Sequence, residues 1–433
     1  MVVGIKGFKH RYTCNVALIA LELFKKGLGY RQIENVFKIF YPYTMQKAPS
    51  DSSIRLWIMR IGHFKLHKPI PTGSWNILAD VTVDVGKVKC LLSVGVDLNK
   101  FQIREDYTLK LTDLEIVGIN PTKKSTGLFA YEAFKDGIER LGGVSAVRGL
   151  VTDEGSDVKK GGKLLQSENP ELKVFFDISH KLALVLEKEL KNDLIWIEYM
   201  SQLVKTKRLV HLTELAALQP PNQRSKARFM NVNLYIKWPN RILESKAAGR
   251  LDSISAERYE EYFGWLSGYT HWLTILEKKV EVVEIVKNTI RKNGLSKSSY
   301  NFLLTLIEKM NLEVSMNEFV CKVFKEVNEE VEKLDEGQVV IAFTEIVESL
   351  FGSFKNQTEK GGQGITGNAL TLGALVGQEQ SAETIYEALT ETSVDKMLSW
   401  VGNNVGETYA KLRNKFFSKK KIFVSQSQAV AFG

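Results

Sequence analysis

The sequence predicts a mixed α/β core, interrupted by a long all-helical block and preceded by a short helical unit. Three observations carry this. Residues 75–178 alternate β-rich runs with helical ones. From about residue 180 to 340 the strand pattern nearly vanishes. Residues 10–66 hold short apolar-periodic segments separated by tight turns.

The N-terminal unit comes first. NVALIALELFKKG (15–27) has apolar residues at helical spacing and stops at Gly27. LGYRQIENVFKIFY (28–41) restarts with Ile33, Val36, Phe37 and Phe40 on one side. SDSSIRLWIMRIG (50–62) follows Pro49, with Ser50 or Ser52 as its cap. Three short helices joined by tight turns fit a helix-turn-helix DNA-binding domain over residues 1–68, with a small structural bundle as the alternative. In the first case Arg55 and Arg60 of the third helix reach DNA, flanked by Lys65, His67 and Lys68.

Pro69 and Pro71 mark a linker, and the period then changes. WNILADVTVDVGKVKCLLSVGVDL (75–98) reads as a hairpin turning at Gly86-Lys87, and LEIVGI (114–119) as a third strand. GLFAYEAFKDGIERLGG (127–143) is a helix ended by paired glycines. AVRGLVTDEG (146–155) is a short strand ending in acids, VKKGGKLLQS (158–167) a helix, and LKVFFDI (172–178) another buried strand. The helical block holds WIEYMSQLVKTKRLVHLTELAAL (196–218), the run 255–294 and MNEFVCKVFKEVNEEVEKL (316–334). TEIVESLFGSFKN (344–356) and QGITGNALTLGALV (363–376) return to the core. The expected division is 1–68, a first core segment 69–190, a helical insertion 191–338, a second core segment 339–380, and a helical, basic tail 381–433.

The chain has 433 residues, 44% of them hydrophobic, enough for roughly two or three domains. A net charge of +9 favours a polyanionic partner such as nucleic acid. Cys14, Cys90 and Cys321 lie far apart without a CxxC pair, which suits a reducing compartment and excludes a cysteine zinc cluster. The first residues lack the order of a signal peptide, and no stretch approaches the ~20 apolar residues of a membrane span. The expectation is an intracellular protein with no membrane partner.

Two acids stand where strands are buried: Asp80 after WNILA and Asp153 after RGLVT. A carboxylate taken into an apolar sheet is costly unless a charge balances it. Mg²⁺ is such a balance and prefers oxygen ligands. If the first and fourth strands are neighbours, the two acids meet at the strand ends, and Glu348 from a crossing helix completes a cage. Glu345 lies three residues away on the same helix face and is its rival. A three-carboxylate site suits phosphodiester chemistry with two Mg²⁺ ions about 4 Å apart.

In this order and context the chain resembles the RNase H-like catalytic domain of DDE transposases and retroviral integrases. ADVTVDVGKVKCLLSVGVD resembles their first hairpin, VRGLVTDEGSD their second-acid strand, and IVESLFGSFK their glutamate helix. The Ser-Leu-Phe-Gly after Glu348 selects it over Glu345. The resemblance implies a bacterial insertion-sequence transposase with hAT-like features. It assigns Asp80, Asp153 and Glu348 as catalytic and metal-binding residues for two Mg²⁺, with Mn²⁺ as a substitute. Lys355, two turns on from Glu348, is implied as a DNA contact. In hAT-like enzymes a Cys-x-x-His motif follows the fifth strand; here Asp177 replaces the cysteine before His180. That places His180 near the site and the DNA, or else as a helix N-terminal histidine bonded to Asp177.

An all-helical insertion between the second aspartate and the glutamate is also a family feature. Within it, Arg224, Lys226 and Arg228 run into Phe229, Tyr235 and Trp238, and cations with aromatic faces suit DNA. Trp238, then Trp265 and Trp272, are candidates to hold a flipped base; the alternative is that all three are core residues. Lys415–Lys421 add phosphate contacts or form a solvated tail. The implied activity is metal-dependent cleavage at the ends of an element, then joining of the freed 3′-hydroxyl to target DNA. The implied assembly is a dimer or larger oligomer on double-stranded DNA, in the cytoplasm and on the nucleoid of a bacterium. A catalytically silent DNA-binding regulator and an RNase H-like structure-specific nuclease are the competing classes.

Overall fold

In the computed structural model, which describes residues 11–41, 47–83, 88–101, 104, 106–223, 229–358, 365–406 and 409–417, the sheet is five-stranded and mixed. Its strands are β1 (Trp75–Val83), β2 (Lys89–Asp97), β3 (Leu114–Thr122), β4 (Val147–Thr152) and β5 (Val174–Phe176). Their spatial order is β3-β2-β1-β4-β5. β1, β2 and β3 pair antiparallel as consecutive neighbours, whereas β4 runs parallel to β1, and β5 parallel to β4. The parallel joins need crossovers, which α4 (Gly127–Arg140) and α5 (Ser156–Glu168) supply. Gly142 and Gly143 end the α4 segment at φ 100° and 95°, the left-handed region expected of that glycine pair. The hairpin tip, Asp84 to Lys87, lies outside the described residues.

Alternation along β1 decides what the sheet faces meet. Trp75, Ile77 and Ala79 join Ala130 and Ala133 of α4 and Val158 and Leu165 of α5 in one core. Asn76, Leu78 and Asp80 belong to the other face, which α13 (Glu345–Thr358) covers with Val347, Leu350, Phe351 and Phe354. Asp80 and Glu348 therefore come to the same side of the sheet.

Among the described residues three helices precede the sheet: α1 (Cys14–Lys25), α2 (Tyr30–Phe40) and α3 (Asp51–His67), the last capped by Ser50, whose side chain accepts from Ser53 N. After β5 come α6 (Ile178–Leu190), α7 (Leu194–Val210), α8 (Val232–Ala247), α9 (Ala256–Phe263), α10 (Thr270–Asn293), α11 (Lys297–Glu308) and α12 (Asn317–Val331). The helical block is as expected in class, with two corrections. The segment 196–218 ends its α-helix at Val210 and continues as a 3-10 turn over Glu214–Leu218. The run 255–294 breaks at a 3-10 segment Gly264–Tyr269, where two glycines weaken the helix. After α13 follow α14 (Thr371–Leu375), α15 (Ala382–Glu391), α16 (Val394–Asn404) and α17 (Tyr409–Phe417).

The N-terminal helices do not stand apart. α3 packs on α14, α15 and α16, and α1 on α15, so these helices share one core. The approach is close: a Cβ on Gly62 would overlap the Leu370 carbonyl, and one on Gly373 would come within 2.7 Å of Gly62 O. Arg60 is corrected accordingly. It is buried at 6% exposure, and its guanidinium donates to the carbonyl oxygens of Leu389 and Thr392 at the end of α15. It is spent inside the protein and is not presented to DNA. Lys65 likewise donates to Val376 O at 2.6 Å, and burial first, then the Lys25 charge, pulls its pKa down to about 7. Arg55 stays exposed, with Nε on Asn368 Oδ1 at 2.8 Å.

Candidate active site

The carboxylates meet because of strand register. Ala79 of β1 lies opposite Thr152 of β4, so Asp80 and Asp153, each one residue further, come to the same edge of two neighbouring parallel strands. Asp80 Oδ1 accepts the Val81 N–H at 2.6 Å, and Asp153 Oδ1 accepts the Gly155 N–H at 3.1 Å. Burial first, then the charge of Asp153 and a smaller push from Glu348, lift Asp80 to about 6, against the pull of the Val81 N–H and His180. Asp153 is also raised, chiefly by burial, with the Gly155 N–H and His180 opposing.

Glu348 reaches this edge from the first turns of α13. The helix is buried along Val347, Leu350, Phe351 and Phe354, but the Glu348 side chain is 44% exposed and stands at its open margin. Partial burial raises its pKa, the neighbouring acids Asp177, Glu345 and Asp153 add to that, and His180 opposes.

His180 is the cation of the group. Its Nε2 lies 3.7 Å from Glu348 Oε1 and its Nδ1 3.4 Å from Asp177 Oδ1. Burial works against its charge, yet Asp177, then Glu348 and Asp153, outweigh it and hold the imidazole protonated up to about 9. His180 sits at the N-terminus of α6 against Asp177, and its ring also faces Glu348.

Glu345 is engaged elsewhere. Both its oxygens take Arg291 Nη2, at 2.9 and 2.7 Å, and Oε1 also accepts Ser179 Oγ at 2.6 Å. It lines a cavity of about 220 Å³ with Tyr107, Leu109, Ile290 and Phe343, away from the aspartates. Geometry therefore brings Glu348, not Glu345, to Asp80.

Other expected contacts are distributed differently. Trp238 gives its indole N–H to Leu218 O at 2.9 Å, Trp265 to Thr206 Oγ1 at 2.9 Å, and Trp272 to Asp193 Oδ2 at 3.1 Å. All three are partly buried and pack against the core of the helical insertion, Trp238 and Trp265 with centroids 6.4 Å apart. Arg224, Lys226 and Arg228 lie outside the described residues, as do Lys419, Lys420 and Lys421. Lys355 is half-buried on α13.

The sequence reading named Asp177 but missed its bonds to Thr344, and missed Glu330. Asp177, fully buried, bonds Thr344 as well as His180. Glu330, 1% exposed, pairs with Lys181 and Lys333 and accepts the Phe176 N–H at 3.0 Å, tying α12 to β5. A lone acid in a helical run gives no such signal in sequence.

Oxygen donors of this kind match a hard divalent cation, and one imidazolium leaves three acids only partly balanced. The spacing is more open than a closed cage: among the described residues no three His, Cys, Asp or Glu side chains converge closely enough to hold an ion as they stand. Among the same residues no helix is long and apolar enough to cross a membrane. No protein-family model matches this chain, and no curated protein matches it either.

Proposed function

We propose that the protein is a DDE-type DNA transposase with an RNase H-like core. The observation that carries this reading is Asp80 beside Asp153 on adjacent parallel strands, with Glu348 brought to the same edge from α13. The strand order β3-β2-β1-β4-β5, the helical insertion between the second and third acids, and the +9 charge support it.

Asp80, Asp153 and Glu348 would hold Mg²⁺, or Mn²⁺ in its place. A divalent metal held by these three acids would supply Lewis acidity for phosphodiester chemistry. The protein's own groups do the rest. The strand ends fix the two aspartates relative to each other. His180, protonated beside Glu348, offsets part of the acids' charge and presents a donor to a phosphate oxygen. Lys355 and Arg55 are candidates for backbone phosphates further out.

Water attacks a phosphodiester at the element's end, and the P–O bond to the 3′ oxygen breaks to leave a 3′-hydroxyl. That hydroxyl attacks a target phosphodiester, one P–O bond forming as another breaks. Bond number is conserved in joining, so no nucleotide co-substrate and no protein nucleophile is needed. Two ends require two such sites, hence a dimer or larger assembly on the DNA.

The test incubates the full chain with DNA carrying the ends of its own element and a target plasmid. Nicked ends and joined products in Mg²⁺ or Mn²⁺, with binding but no cleavage in Ca²⁺, support the reading. Cleavage without joining points instead to a nuclease, and binding without cleavage in any metal to a silent regulator.

A further inference from the structure

Glu348 arrives at the sheet after a helical excursion of the chain from α6 to α12. Something must fix where it lands. The segment 341–344, which leads into α13, runs from the start of β1 to the end of β5 and is held by two fully buried polar side chains. Asn76 of β1 accepts the Ile341 N–H on Oδ1 at 3.0 Å and donates from Nδ2 to Ile341 O at 3.4 Å. Asp177, between β5 and α6, accepts on Oδ2 both the Thr344 N–H at 2.6 Å and the Thr344 hydroxyl at 2.7 Å. The backbone adds Ile178 N to Ala342 O at 3.0 Å. Thr344 in turn offers its carbonyl to Val347 N at 2.8 Å and Glu348 N at 3.3 Å, opening the helix.

We propose that Asp177 and Thr344 form a latch that positions Glu348 and His180 for the carboxylate centre, an inference that rests on the metal-site reading above. One carboxylate serves both sides. Its Oδ2 fixes the start of the helix that carries Glu348, and its Oδ1 accepts the His180 N–H at 3.0 Å and faces the His180 ring. Asp177 and Thr344 are each 0% exposed, so neither bond is shared with solvent. Removing one partner strands a buried polar group, which makes the arrangement stiff. Asp177 does not touch the reacting atoms; it acts through Thr344 and His180 and is a positioning residue, as partners behind metal ligands commonly are.

The test uses the full chain, Mn²⁺ as the probe, and the variants Thr344→Val, Thr344→Ser and Asp177→Asn. Thr344→Val removes the hydroxyl bond at nearly constant volume, and Thr344→Ser keeps it. Hydrogen exchange of the metal-free protein reads the Val347 and Glu348 amides. They are expected to exchange roughly tenfold faster in Thr344→Val and Asp177→Asn, and as in the wild type in Thr344→Ser, with β1 and β4 unchanged. Mn²⁺ affinity, read by electron paramagnetic resonance, is expected to fall about tenfold in Thr344→Val and to recover in Thr344→Ser. Unchanged exchange in Thr344→Val overturns the latch. Faster exchange with unchanged Mn²⁺ affinity shows a purely structural bond and overturns the positioning role. A wild type that binds no Mn²⁺ sinks the metal-site reading itself and the positioning role with it, while the exchange data still report whether the contact exists.

Discussion

His180 Nε2 faces Glu348 Oε1 at 3.7 Å, and this contact links the start of α6 to the helix that returns from the insertion. It has a pH signature. The imidazole is raised from its ordinary 6.5 to about 9, so its contribution to stability is complete below pH 6.5 and is lost as pH rises through 9. His180→Gln is expected to cost on the order of 2 kcal/mol at pH 6 and little at pH 10. Urea unfolding across that range measures it; a difference that does not change with pH contradicts the ion-pair account.

Asp80 behaves in the opposite sense. Its pKa is raised from 3.8 to about 6, so the ionised side chain costs stability above pH 6 and that cost disappears as pH falls below about 4. Asp80→Asn, which keeps an acceptor for the Val81 N–H, is expected to stabilise the metal-free protein at pH 7.5 by roughly 2 kcal/mol and to be neutral at pH 4. Divalent metal should raise the melting temperature of the wild type at pH 7.5 and not that of the variant. Thermal unfolding with and without Mg²⁺ checks both.

Arg60 supports the packing of α3 on α15, not DNA. Arg60→Ala strands the Leu389 and Thr392 carbonyls and opens a cavity, with an expected loss of about 2–4 kcal/mol. Under conditions where the variant stays folded, its DNA affinity in fluorescence anisotropy should equal that of the wild type. A selective loss of DNA binding without loss of stability contradicts the buried assignment.

Glu330 holds Lys181, Lys333 and the β5 backbone together at 1% exposure. Glu330→Gln removes one of three carboxylates around Lys181, which keeps Glu326 and Glu329, and the carboxylate beside Lys333, and is expected to cost about 1–3 kcal/mol. Adding Lys181→Met to Glu330→Gln should cost less than the sum of the two single losses, because the Lys181–Glu330 pair is then lost only once. A double-mutant cycle by chemical denaturation measures the coupling.

The legible part of this fold is local. Alternation in WNILADVTV and LLSVGVD gave the strands, paired glycines gave the end of α4, and Asp80 and Asp153 stood out because acids are rare at the ends of such apolar runs. The illegible part is long-range. Arg60 bonds carbonyls more than 300 residues away, and a helix buried by such partners has the same apolar spacing as one in a free three-helix module. Asn76 and Asp177 bond segment 341–344 across 265 and 167 residues, and nothing next to them in sequence marks a latch. The tryptophans of the insertion were equally ambiguous, since an aromatic on a helix carries no sign of whether its N–H is taken.

The central claim is that Asp80, Asp153 and Glu348 act as one catalytic centre. The most direct measurement is cleavage and strand transfer on the element's terminal DNA by the wild type, Asp80→Asn, Asp153→Asn and Glu348→Gln, in Mg²⁺ and in EDTA. The account predicts that the wild type cuts and joins only with metal, and that each variant still binds the DNA but yields no product. Product from any of the three variants, or from the wild type in EDTA, would contradict it.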